Sequence, residues 1–232
     1  MTSLDVVVLD LDGTLVDSVY VHAVAWREAL REVGLDVPTY RLHKAIGMGG
    51  DRLVAAVAGQ AAEDAVGDVV RELHDKQFDA RISEVYPLEG TFELLTGLRQ
   101  AGLRLVLASS SKPETTDRLL GVVEGSQLIE AVVPGSEGPS KPAPDLVERA
   151  LDRAGSGNAF LIGDAVWDVE AAARAGIPCV GLLSGGYSEA ELLGAGAVMV
   201  DETPLTLAGR LDTVLQEVRR VAGSGDDTPG HP

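Results

Sequence analysis

Short apolar runs recur along the last two thirds of the chain, and each is followed by small or polar residues. They are "LRLVLASS" (103–110), "AVVPG" (131–135), "AFLIGD" (159–164), "CVGLLS" (179–184) and "AVMVDE" (197–202). Rich in β-branched residues or leucine and bounded by Gly, Pro or Ser, they read as strands. "DVVVLD" (5–10) is an earlier run of the same kind, apolar throughout, as a strand covered on both faces should be. Between the later runs lie helical patterns. "PETTDRLLG" (113–121) and "PAPDLVERALDRAG" (142–155) each open with proline near the first turn and close with glycine. Strands alternating with helices predict an α/β fold, a doubly wound parallel sheet with helices on both faces.

The alternation stops between residues 17 and 84. "SVYVHAVAWREALREVG" (18–34) places Val19, Ala23, Trp26, Leu30 and Val33 on one helical stripe closed by Gly34. Two or three further helices follow, with no convincing strand. The pattern predicts a core built from residues 1–16 and 85–222, interrupted by an all-helical insert over 17–84. Its hinges fall at 15–17 and 83–87. The end, "GSGDDTPGHP" (223–232), lacks apolar residues and is expected to be a mobile tail.

With 45% hydrophobic residues among 232, the chain can bury a sizeable core. Its formal charge is −17, from 19 Lys plus Arg against 36 Asp plus Glu. That argues against nucleic acid as a partner, because duplex affinity comes largely from basic residues on phosphates. A small anionic substrate stays open, since a bound cation can make one site positive. Cys179 is the one cysteine; it forms no disulfide within the chain and reads as a core residue. No signal peptide or membrane-spanning run is visible. The expectation is a cytoplasmic protein without a membrane partner, a monomer or weak dimer.

In an open parallel sheet, chemistry gathers at the carboxyl ends of the strands. The first run ends in Asp10, Asp12, Gly13 and Thr14. The second ends in Ser109, Ser110, Ser111 and Lys112. Lys141 follows the third, and Asp164 and Asp168 follow the fourth. Carboxylates brought this close repel one another. A hard divalent cation with oxygen ligands, magnesium above all, resolves the repulsion. Hydroxyls and a lysine suit the oxygens of a phosphate. One carboxylate can then attack phosphorus, and another can protonate the leaving group and activate water. Gly13 permits close backbone approach.

This set resembles the haloacid dehalogenase superfamily of phosphatases. The matching pieces are "DLDGT" (10–14), the serine ending "LVLAS" (109), the lysine of "KPAPD" (141–145) and "GDAVWD" (163–168), spread over roughly residues 5 to 201. The resemblance implies a Rossmann-like core with a helical cap formed by the insert. It makes Asp10 the nucleophile that becomes an aspartyl phosphate and Asp12 the general acid and base. Ser109 would bind the transferring phosphoryl group, and Lys141 would pair both it and Asp10. Asp164 would hold magnesium with Asp10 and the carbonyl of Asp12, supported by Asp168.

Each residue also has a plainer reading. Asp10 and Asp12 are ordinary turn formers in isolation. Lys141 could be a surface lysine, Asp168 a first-turn acid and Trp167 packing. Ser111 and Lys112 either line the phosphate entrance or cap the next helix. His22, one turn before Trp26, is either a buried hydrogen-bonded histidine or a substrate contact from the cap. Around "AIGMGGDR" (45–52), Lys44, Met48, Asp51 and Arg52 are weaker cap candidates.

Within the family, Asp12 is the residue that carbon–halogen-cleaving and phosphonate-cleaving members lack, so neither fits. "DSVYVHAVAW" and "LASSSK" look like β-phosphoglucomutase and hexose phosphatases. "GDAVWDVEAA" and "GLLSGGYSEAEL" look like phosphoglycolate phosphatases. The mutase has a cap arginine where this chain has Gly49 and Gly50, and Arg52 falls two positions late. The resemblance therefore implies transfer to water: a magnesium-dependent phosphomonoesterase for a small phosphorylated metabolite, a sugar phosphate or phosphoglycolate-like acid. Phosphoryl transfer between sugar positions is the alternative. A catalytically idle phosphate-binding or receiver-like protein is the rival from another class.

Overall fold

A computed structural model of the chain describes residues 4–135 and 139–224. Within them run six strands: β1 (Val6–Leu9), β2 (Arg104–Ala108), β3 (Ile129–Val133), β4 (Ala159–Gly163), β5 (Cys179–Leu182) and β6 (Met199–Asp201). All are parallel, in the order β3-β2-β1-β4-β5-β6. β1 is central because it is apolar on both faces. Val6 and Val8 join Val106, Ala108 and Leu161 in one core cluster, while Val7 and Leu9 join Leu105, Leu107 and Ile162 in another. The chain builds outward from β1 in one direction and then in the other, so the crevice of a doubly wound sheet opens at the carboxyl end of β1.

The insert consists of helices α1 (Val19–Glu32), α2 (Thr39–His43), α3 (Gly50–Ala58) and α4 (Gln60–Asp79). Three helices thus follow the first. They enclose a hydrophobic cluster of their own, with Trp26, Leu30, Leu53, Val54 and Val70 at its centre. The remaining helices are α5 (Thr91–Gln100), α6 (Pro113–Leu120), α7 (Asp145–Ala154), α8 (Val166–Arg174), α9 (Glu189–Ala195), α10 (Pro204–Gly209) and α11 (Leu211–Ser224). Helices α5, α10 and α11 cover one face of the sheet, and α7, α8 and α9 cover the other.

The two crossings between insert and sheet pair with each other. Asp17 N donates to Tyr86 O (2.9 Å) and Leu88 N to Leu15 O (3.0 Å), and Val16 bridges Pro87 in antiparallel fashion. Leu15 and Val16 are fully buried.

β3, α7 and α11 are among the elements whose bounds differ from the sequence pattern. β3 begins at Ile129, two residues before "AVVPG". Glu130 interrupts the apolar run, yet it serves this strand by pairing outward with Arg99 and Arg104. α7 begins at Asp145, after Pro142 and Pro144, and ends at Gly155 with φ +65, the left-handed stop that glycine favours. α11 runs on to Ser224, so the expected tail begins inside a helix. The rest of that tail, 225–232, lies outside the described residues. Among those described, no helix is long and apolar enough to cross a membrane.

Candidate active site

The register of β1 with its neighbours aligns Leu9 with Leu107 and Ile162. The residues that follow, Asp10, Ser109 and Asp164, therefore emerge side by side. Lys141 arrives from the loop before α7. Its Nζ donates to Asp10 Oδ1 and to Ala108 O (3.2 Å) and lies 2.6 Å from Asp168 Oδ1. It is 1% exposed, which excludes the surface reading. Asp168 does serve as a first-turn acid, its Oδ2 accepting from Ala165 N at 3.1 Å. It does so while facing Lys141, so the two readings of this residue coexist.

Asp164 Oδ1 accepts from Thr14 Oγ1 at 3.1 Å. Its other oxygen lies against two glycines, for a Cβ on Gly13 (φ +81) or on Gly185 would overlap it. Gly13 and Thr14 thus support Asp164 and do not line the open cavity. Asp10, Asp164 and Asp168 each bring one carboxylate oxygen within 4.8 Å of the others. All three are buried, and neither Asp10 Oδ2 nor Asp164 Oδ2 accepts a hydrogen bond from a described protein group. Hard oxygen donors with free lone pairs, packed against small residues, fit a divalent cation of the magnesium type.

Three buried carboxylates share one ammonium. Burial pushes the Asp10 pKa up to about 7, with Lys141 opposing and Asp168 and Asp12 adding to the rise. Burial and the charges of Asp168 and Asp10 hold Asp164 well above the usual carboxylate range. Burial works against the charge on Lys141, but Asp10 and Asp168 overcome it and hold its pKa above the ordinary lysine value. The cluster is short of positive charge, as a metal site should be.

Asp12 is different. Burial alone would raise its pKa, yet His22, Ser18 and Ser111 outweigh it and hold the group at about 2. Ser18 Oγ donates to Asp12 Oδ1 (2.6 Å) and Ser111 Oγ to Oδ2 (2.9 Å), while His22 Nε2 lies 3.1 Å from Oδ1. Ser18 stands at the N-cap of α1 but makes no cap bond, because its hydroxyl is engaged on Asp12. Ser109 is fully buried, and its Oγ accepts from Ser111 N at 3.1 Å.

A second histidine continues the chain of contacts. His22 Nδ1 lies 3.1 Å from His74 Nε2, and His74 Nδ1 lies 3.3 Å from Asp75 Oδ1. His74 stacks on Trp26 with ring centroids 4.0 Å apart, and His22 stacks on Phe78 at 3.9 Å. His22 is thus both a buried hydrogen-bonded histidine and a wall of the cavity. Burial lowers the His74 pKa to about 4, against the pull of Asp75. A base whose folded pKa lies below its unfolded value contributes stability that is complete above the unfolded value, near 6.5, and lost as pH falls toward the folded one. The wild type should therefore lose about 2–3 kcal/mol more stability than His74→Asn between pH 7 and pH 4. Urea unfolding at the two pH values measures this, and parallel losses would contradict it.

A cavity of about 610 Å³ lies between the strand ends and the helices. Asp10 and Asp12 form its floor, with Ser110, Ser111 and Lys112 on the sheet side and His22, Trp26, Met48, Arg71 and Phe78 opposite. Ser109, Lys141, Asp164 and Asp168 sit behind this surface. Arg52 lies outside the lining, half exposed, with Nε 3.9 Å from Asp51 Oδ2. Arg71, His74 and Asp75 line the cavity but carry no motif. Their one sequence signal is the four-residue spacing of His74 and Phe78, which repeats that of His22 and Trp26. Trp167 is packing, as one reading had it, and its Nε1 donates to Lys44 O at 3.2 Å. Lys44 points away from the cavity to Glu191, 2.6 Å distant.

The glycine loop before α3 touches a neighbour of three site residues. Ser110 Oγ donates to Gly47 O (3.3 Å), and Gly49 N donates to Ser140 Oγ (3.0 Å). A Cβ on Gly47 would lie 3.0 Å from that of Ala165. Ser140 Oγ in turn donates to Asp51 Oδ1 at 2.5 Å. A Cβ on Gly49 would overlap Ser140. Gly49→Ala should therefore hold the insert off the strand ends and lower kcat/KM by about 10- to 100-fold, since misplacement by about 1 Å can cost that much. Circular dichroism should show an intact fold; unchanged kinetics would mean the contact has no functional part.

Comparison with known proteins agrees with this arrangement. The family profile described as "haloacid dehalogenase-like hydrolase" matches residues 4–176. A phosphoglycolate phosphatase of Caulobacter vibrioides is 34% identical over 83% of this chain and 85% of its own. Protein CbbY of Cupriavidus necator is 32% identical over 75% and 76%. The crystal structure of a hydrolase from Pseudomonas syringae superposes with a TM-score of 0.84 at 34% identity, covering 90% of this chain and 99% of that one. The profile match spans most of the chain, from the strand that delivers Asp10 to the helix that carries Asp168, and the chain belongs to the haloacid dehalogenase-like hydrolases.

Proposed function

We propose that this hydrolase is a magnesium-dependent phosphomonoesterase that works through an aspartyl phosphate on Asp10. The observation that carries the reading is the Asp10 carboxylate at the cavity floor, one oxygen held by Lys141 and the other free of donors among the described residues. A carboxylate so oriented can attack phosphorus and displace the ester oxygen. Lys141 keeps it aligned and balances charge on the phosphoryl oxygens. Ser110 and Ser111 stand beside this floor, and Ser109 lies directly behind it. Asp12 would protonate the leaving oxygen in the first transfer and take the proton of the water that cleaves the acyl phosphate in the second. His22 Nε2 lies 3.1 Å from Asp12 Oδ1 and holds that carboxyl in place.

Asp10, Asp164 and the main-chain carbonyl of Asp12 would hold the cation, with Asp168 supporting. The cation supplies charge neutralisation for nucleophile and phosphate. In this reading the insert, residues 17–84, is a cap over the core, and its closure excludes water during the first transfer. The glycine loop presents Gly49 and Gly50 to the cavity and leaves Arg52 outside. That supports transfer to water over transfer to a second sugar position. The buried thiol of Cys179 suits a cytoplasmic protein.

Phosphate release from phosphorylated metabolites, with magnesium and then with chelator, tests the proposal. Release should need magnesium, and readdition should restore it. Equal rates in excess chelator would overturn the metal assignment.

A further inference from the structure

The cations that line the cavity are already paired. Arg71 reaches it from α4, but its guanidinium lies 2.8 Å from Glu63 Oε1 and 2.8 Å from Asp68 Oδ1, and it donates to Gly50 O at 2.9 Å. Lys112 reaches it from the sheet side, with Nζ 2.5 Å from Asp75 Oδ2. Beyond the catalytic pair and Asp75, the other charged lining groups among the described residues are Asp51 and Glu114, both acidic. The Glu114 side chain accepts no hydrogen bond from a described residue. Lys141, beneath the floor, is engaged on Asp10 and Asp168. The part of the cavity that would receive a leaving group is therefore net acidic, in a chain of formal charge −17. The apolar part of its wall is chiefly Trp26, Ile46, Met48 and Phe78.

Resting on the phosphatase reading, we infer that the site takes a phosphate ester whose leaving group is neutral and hydroxylated, a sugar or polyol, and discriminates against esters that carry a carboxylate. Carboxylates accept hydrogen bonds from hydroxyls, and apolar walls suit the C–H faces of a ring. A substrate carboxylate would meet Asp51, Asp75 and Glu114 with no unengaged cation among the described lining residues, and like charges brought together lower affinity. The preference differs from the one that the Caulobacter vibrioides relative, a phosphoglycolate phosphatase, is named for.

The test compares kcat/KM for glucose 6-phosphate, glycerol 3-phosphate and phosphoglycolate on the full chain with magnesium, with p-nitrophenyl phosphate as a general check on hydrolysis. The better neutral ester should exceed phosphoglycolate by at least about tenfold. Asp75→Asn, which releases Lys112 but keeps an acceptor for His74, should narrow that ratio by about fivefold. Phosphoglycolate turned over as well as the neutral esters, or better, overturns the inference. If nothing is hydrolysed, p-nitrophenyl phosphate included, the phosphatase reading falls. Calorimetric titration of glucose 6-phosphate and phosphoglycolate into Asp10→Asn protein still decides the preference. Tighter binding of glucose 6-phosphate supports the inference, and tighter binding of phosphoglycolate overturns it.

Discussion

Asp10→Asn should lower turnover by about four orders of magnitude or more, the scale seen when a covalent nucleophile is removed. The substitution keeps the size of the side chain and an acceptor for Lys141, but an amide does not attack phosphorus. It also removes one of three buried carboxylates that share a single ammonium. Less like-charge repulsion remains, so the melting temperature of the metal-free variant should equal or exceed that of the wild type. A fold lost together with activity would make Asp10 a structural residue. Near-normal turnover would falsify the nucleophile assignment outright.

Lys141→Met is expected to have the second largest effect, and on stability as well as rate. Lys141 is the cation between Asp10 and Asp168, and removing one partner of a buried ion pair costs about 3–5 kcal/mol. The deficit should depend on pH with a definite sign. A carboxyl whose folded pKa is raised contributes stability below its unfolded value, and loses it as pH rises through the folded value. Asp10 already sits at about 7 and Asp164 well above the ordinary range. Without Lys141 both rise further, so the variant should be close to wild type near pH 4 and weakest above pH 7. Denaturant unfolding across that range is the measurement; a deficit independent of pH would mean that packing, not charge, is what Lys141 supplies. Phosphate release should be lost at every pH.

The sheet and its chemistry were legible because both are written locally. β1 is four apolar residues followed at once by Asp10, and no arrangement but a central strand accommodates such a run. Ser109 and Asp164 end β2 and β4 in the same way. Lys141 was readable from its "KPAPD" setting, although its burial was not. The far wall of the cavity was less legible, for a physical reason. His22 and His74 meet across 52 positions, and Arg71 reaches the cavity only because α4 packs on α1 and α3. Helical period shows which face of a helix is apolar, not which polar residue near its edge will meet a ligand. Arg52 illustrates this: it stands in the right loop, but its side chain leaves by the other side. Ser18 shows the converse, since a residue in a capping position has its hydroxyl engaged on Asp12.

The ribbon formed by Val16 and Pro87 bears on how the chain folds. β1 and β2 are hydrogen-bonded neighbours in the finished sheet, yet the whole insert separates them in sequence. Pairing them from an open chain means closing a long loop, which slows folding. Once the helices have collapsed on their own cluster and the ribbon has joined, the effective loop shrinks about fourfold. The entropic cost of bringing β1 to β2 then falls by on the order of 1 kcal/mol. The insert would act as a scaffold for the central strand pair of the sheet before it acts as a cover for the site.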